Sequence, residues 1–106
     1  MAKYLFKVTY STHGTKGLLA DGGSNRVAAV EKMVEGLGGR VEAFYYAFGE
    51  NDAFTIVDVP DAVSAAAVSL VVNATGAVRL STTVLMTPED MDAAAEKSVD
   101  YLPPGA

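Results

Sequence analysis

The chain has no cysteine and no tryptophan, and its single histidine is His13. Without cysteine there can be no disulfide, no thiolate nucleophile and no thiolate metal ligand. One histidine also leaves a zinc site without its usual donors. Cations are scarce: eight Lys and Arg stand against thirteen Asp and Glu, for a net charge of −5. No basic run is present to neutralise a phosphate backbone, which argues against nucleic acid as a partner. No apolar stretch approaches the roughly 20 residues that span a bilayer. The opening MAKYLFKVTY alternates where a signal peptide would be continuously apolar. A soluble, cytoplasmic protein with no membrane partner is the expectation. The glycines of GTKGLLADGG fit neither a Walker loop nor a dinucleotide fingerprint, so no cofactor is expected.

What is abundant is apolar surface. Hydrophobic residues fill 50% of the 106 positions and charged residues only 20%, enough for one core and, at this length, one domain. We expect a single domain over residues 1–100 and a tail over 101–106, YLPPGA, which its prolines keep out of helix. The apolar surplus exceeds what so small a monomer hides, which points to an interface.

Tyr4, Phe6, Val8 and Tyr10 share one parity and Lys3, Lys7 and Thr9 the other, the period of a strand over residues 3–10. The following STHGTKGLLADGG is punctuated by glycine, lacks a period and reads as a long loop, with His13 as a solvated loop residue. Ser24 is suited to cap a helix, because Val27, Val30, Met33, Val34 and Leu37 recur at helical spacing before Gly38 and Gly39. A second strand covers 40–48, Gly49 to Asp52 turn the chain, and AFTIVDV is a third strand. Asp52 is expected to accept backbone N–H groups and fix the hairpin. Pro60 ends the strand and Asp61 caps a second helix, with Val63, Ala66, Ala67, Leu70, Val71 and Ala74 as its buried stripe. AVRLSTTVLM is the fourth strand. TPED then opens a short last helix, with Thr87 as cap, Pro88 at the first position and Asp90 at capping-box spacing. Its buried side is Met91, Ala94, Ala95 and Val99.

The order βαββαβ is that of a ferredoxin-like α+β domain. It implies a four-stranded antiparallel sheet with the first and third strands in the middle, both helices on one face, and a short C-terminal helix appended. With one parity for all strands, the core holds Tyr4, Phe6, Val8, Phe44, Tyr46, Phe48, Phe54, Ile56, Val78, Leu80, Val84 and Met86. The open face then mixes Leu5, Val41, Val57 and Leu85 with Lys7, Thr9, Tyr45, Thr55, Arg79, Ser81 and Thr83. Pairing with an identical sheet covers such a face, so the expected partner is the chain itself, as a homodimer or higher homo-oligomer. A small-molecule ligand would sit in the cleft between the paired sheets, bound by Lys7, Thr9, Tyr45, Thr55, Arg79 and Thr83. Lys7 and Arg79 either meet an anionic ligand there or reach the rim and stay solvated.

Four segments, TYSTHG, EGLGGRVEAFYYAFGEND, IVDVPD with the Ala-rich run behind it, and AVRLSTTVLMTPEDM, together resemble the GYD-domain family over the chain up to about Asp92. The family's naming motif is Gly, any residue, Tyr, Asp; Gly49 and Asp52 match it and Asn51 replaces the Tyr. Tyr45, Arg79 and Arg26 stand where the family commonly has those residue types, and Lys7 where an apolar residue is more usual. The resemblance implies similarity to dimeric α+β barrels, which pair through their open sheet faces. By analogy of fold it also implies an alternative function, a cofactor-independent monooxygenase or isomerase with Tyr45 and His13 as acid and base. No reaction can be read from the residues themselves.

Overall fold

The structure, a computed structural model, describes residues 1–105; Ala106, the last residue of the expected tail, lies outside the described residues. The elements run β1 (Ala2–Tyr10), α1 (Thr12–Asp21), α2 (Gly23–Gly36), β2 (Arg40–Tyr46), β3 (Ala53–Val59), α3 (Ala62–Ala74), β4 (Val78–Leu85) and α4 (Pro88–Ala95). The strands form one antiparallel sheet in the order β2-β3-β1-β4. This is the expected ferredoxin-like α+β arrangement with β1 and β3 central. No helix among the described residues is long and apolar enough to cross a membrane.

The stretch after β1 is not a loop. It forms α1, although two glycines and two threonines give it little intrinsic helical tendency. Contacts at its start supply what propensity lacks. The Ser11 hydroxyl accepts from the Gly14 N–H at 3.1 Å, and the Ser11 N–H and hydroxyl both donate to the Ala77 carbonyl, at 3.0 and 2.9 Å. Gly14 permits this approach, since a Cβ there would collide with the same carbonyl. Gly22, at φ +83°, donates to the Leu18 carbonyl to end α1 and also stands as the cap of α2. The cap is therefore Gly22 and not Ser24, and His13 sits in the first turn of a helix.

The core joins Tyr4, Phe6, Val57, Val59 and Leu80 of the sheet to Val34 of α2 and to Ala65 and Val68 of α3. The assumption of one parity fails here, because directly paired residues share a face and the register decides which they are. Along β1 and β4, Tyr4 faces Val84 and Val8 faces Leu80, so parity is kept. Along β1 and β3, Tyr4 faces Val57 and Phe6 faces Thr55, so it inverts. A bulge between Val41 and Ala43 inverts it again within β2, where Val41 faces Val57 but Phe44 faces Thr55. Val41, Thr55 and Val57 thus belong to the helix side, and Phe54 and Ile56 to the open face. Phe48, placed in the core from sequence, lies beyond β2 and is fully exposed, and Val84 and Met86 also remain open to solvent.

The expected stripe of α3 is its outer one. Val63, Leu70 and Val71 are exposed, and Ala65, Val68 and part of Val72 are buried instead. Asn73 sets the rotation: its side-chain amide donates to the Leu80 carbonyl at 3.0 Å and accepts from the Leu80 N–H at 2.8 Å, clamping α3 to the outer edge of β4. The sequence of α3 is apolar nearly all round, so its pattern alone marks no inner side.

α4 is capped as expected, with reciprocal bonds between Thr87 and Asp90. Its expected burial does not occur, since none of its residues is buried. α4 and the following residues stand off the body as an arm. The molecule measures 57 × 33 × 23 Å with a radius of gyration of 16.9 Å, against about 13 Å for a compact domain of this length.

Candidate functional site

α2 packs against β2 and α3 chiefly against β4, and the two helices leave a gap over the central strands. The gap is a cavity of about 290 Å³, floored by Phe6, Val8, Phe44 and Leu80 and walled by Met33 and Val68. Three polar side chains reach it: Thr55 at the floor, and Tyr10 and Arg26. Tyr10 and Arg26 also line an adjoining recess of about 390 Å³, to which α1 contributes His13. Arg26 is half-buried and makes no ion pair with any carboxylate among the described residues. An unpaired guanidinium beside an apolar cavity presents a rigid fork of donors matched to a carboxylate or phosphate.

Tyr10 is held at the end of β1 by the hairpin. The Asp52 carboxylate accepts from the Tyr10 N–H at 2.8 Å, and the Asp52 N–H donates to the Val8 carbonyl at 2.8 Å. Asp52 therefore accepts a backbone N–H as expected, but the N–H belongs to β1. The Tyr46 hydroxyl donates to the Gly23 carbonyl at 2.9 Å and ties the start of α2 to the same corner. Burial pushes the Tyr10 phenol above its ordinary pKa, with a smaller push from Tyr46, while Arg26 pulls it down. At neutral pH the phenol is a donor. The cavity lining contains no carboxylate and no histidine, so a cation and donors are present without a base.

A family model, the GYD domain, matches residues 4–95. The chain belongs to the GYD-domain family. Neither a curated protein nor a solved structure gives a significant match. In this GYD domain, the Asp of the naming motif is the residue that binds the hairpin to β1. Asn51, in the place of the motif's Tyr, borders a shallow recess on the open face.

The site expected from sequence is only partly assembled. Lys7, Thr9 and Arg79 do come together around that recess, Thr9 opposite Arg79 and Lys7 opposite Ser81. Thr83 lies further along β4, opposite Leu5. Tyr45 lies on the other edge strand, opposite Phe54, and is 72% exposed. Thr55 is on the opposite face altogether, 2% exposed, in the helix-side cavity. Tyr45 and His13 occupy opposite sides of the sheet, so a single chain does not bring them together as acid and base.

Two features escaped the sequence reading. Asp58 is almost fully buried on the open face, with Lys3 Nζ and Arg40 Nη2 each 2.9 Å from its oxygens. Arg40 is too poorly aligned to donate a hydrogen bond, so Oδ2 is held by charge alone. Asp58 and then Glu42 raise the Lys3 ammonium above its usual pKa by hydrogen bonding. The other feature is Arg26 at the cavity. A signal for it existed, because Arg26 falls four residues before Val30 and so on the inward stripe of α2.

Proposed function

We propose that this GYD domain binds a small, largely apolar molecule with one anionic group in the cleft between α2 and α3. The observation that carries the reading is an apolar cavity of about 290 Å³ with an unpaired guanidinium on its lining. Ligand pockets are mostly apolar with a few polar groups that fix orientation, and this volume sits at their small end. Arg26 would take the anion, the Tyr10 hydroxyl would donate to it or to a neighbouring oxygen, and Thr55 would orient the buried end. The absence of a base in the lining supports binding over turnover. Copies of the chain associate through their open faces in this reading, with Leu5, Phe54 and Ile56 as the apolar part of that face. The ligand, however, sits under the helices and not between the sheets.

The test is a thermal-shift and calorimetric panel of small aromatic and branched aliphatic carboxylates, each beside its neutral amide. A carboxylate should raise the melting temperature and its amide should not. Arg26→Met should weaken that carboxylate by at least about tenfold, the effect of losing a charged hydrogen-bonding partner, and Arg26→Lys by less. A panel without any shift, or a shift that Arg26→Met leaves intact, overturns the reading.

A further inference from the structure

The arm raises a physical problem that a single chain does not solve. α4 has eight residues, and isolated helices shorter than roughly 12 to 15 residues are marginal in water even with good caps. Met91, Val99 and Leu102 on the arm are 57%, 79% and 74% exposed. The arm is also strongly acidic, carrying Glu89, Asp90, Asp92, Glu96 and Asp100 against Lys97 alone. An acidic, apolar helix of this length needs a surface that is apolar and cationic.

The open face of the sheet has that character. Leu5, Phe54 and Ile56 line it, and Lys7 and Arg79 form no ion pair there among the described residues; Glu50 borders their recess without pairing with either. The outer stripe of α3 is as apolar, but α3 contains no charged residue and offers the acids nothing. In the structure the arm does not fold back on its own sheet, since no residue of α4 is buried. It leaves β4 at Leu85, whereas Arg79 lies six residues back along that strand, roughly 20 Å away. A second copy with its strands reversed brings the required end within reach.

With open faces paired about a two-fold axis across the strands, we propose that each copy's arm crosses over to the other. Each arm then lies along the partner's β4 edge, with its carboxylates beside the partner's Lys7 and the partner's Arg79. The crossed arms close the β4 side of the two-sheet assembly and give α4 the packing it lacks alone. This rests on the pairing of open faces proposed above and is independent of the ligand in the helix-side cleft.

The cysteine-free chain allows a direct test. Full chains carrying Ser81→Cys and Ala94→Cys, with different tags, are mixed and oxidised; a disulfide joining the two tagged chains is expected. In parallel, sedimentation should show that Lys7→Glu with Arg79→Glu weakens pairing by at least about tenfold, as loss of charge complementarity does. Adding Glu89→Lys, Asp92→Lys and Glu96→Lys should restore it, and both effects should fade at high salt. Removal of residues 87–106 should weaken pairing without altering the circular dichroism of the body beyond the loss of α4. The proposal is overturned if a chain with both cysteines closes on itself as a monomer, if the charge exchange restores nothing, or if the truncated chain pairs as tightly as the full one. A truncated chain that pairs as tightly as the full one refutes the crossed arm but leaves face-to-face association standing, whereas a full chain that stays monomeric refutes both.

Discussion

The two sides of the sheet differ in how they are finished. On the helix side Phe6, Val57 and Val59 are almost wholly hidden, yet the helices stand apart and leave a cavity in the middle of their own layer. On the open side Leu5, Phe54, Ile56 and Leu85 are only half-covered, and their cover is other strand residues and long polar stems. The helix side buries its surface within one chain and keeps a space. The open side carries a shallow recess beside Arg79 and leaves its apolar residues half-exposed. The proposed binding function rests on the first side and the proposed assembly on the second.

The sharpest way to break this contrast uses two neighbours on β3. Val57→Ala removes a fully buried side chain and should lower stability by about 2 to 3 kcal/mol at any protein concentration. Ile56→Ala, on the open face, should cost under about 1 kcal/mol in dilute solution, and its penalty should grow as concentration rises and pairing contributes. Urea denaturation at two concentrations checks both, and equal, concentration-independent losses would erase the distinction. Next in size is Asn73→Ala. It should cost about 1 kcal/mol by removing the two bonds to Leu80, and hydrogen exchange should show faster loss of protection at the Leu80 amide. Unchanged exchange there would mean that the rotation of α3 is set by packing alone. The smallest effect concerns Asp61, whose carboxyl is held below its ordinary pKa by the Ser64 N–H and then by the Ser64 hydroxyl. A depressed folded pKa contributes stability that is present above the unfolded value and is lost as pH falls through the folded one. Asp61→Ala should therefore lower the melting temperature at neutral pH more than in acid, and Asp61→Asn should keep most of the cap while flattening that dependence. A difference between wild type and Asp61→Ala that does not narrow on acidification would remove the carboxylate from the account of the cap.

Much of the fold was legible because its determinants are local. The alternation of β1, the Pro60–Asp61 boundary and the TPED cap each lie within a few residues, and each appears where the sequence places it. α1 was not legible, because the carbonyl that anchors Ser11 is 66 positions away. The inner face of β3 was not legible either, as parity passes between strands only through register, and a bulge reverses it within β2. For the site, Lys7, Thr9 and Arg79 could be grouped because they sit on one face of neighbouring strands. The cavity could not be foreseen, since a space between two helices depends on how far apart they land, and no single segment encodes that separation.

The bulge beside Val41 also bears on how this family member could change in length. Glu42 is the spare residue of β2: it has no counterpart on β3, while Val41 and Ala43 pair with Val57 and Ile56. A one-residue deletion there would straighten the strand, leave Phe44 and Tyr46 aimed as before, and remove only the weaker of the two carboxylates on Lys3. The same deletion in the middle of β3 would turn every side chain beyond it to the other side, taking Val57 and Val59 out of the core.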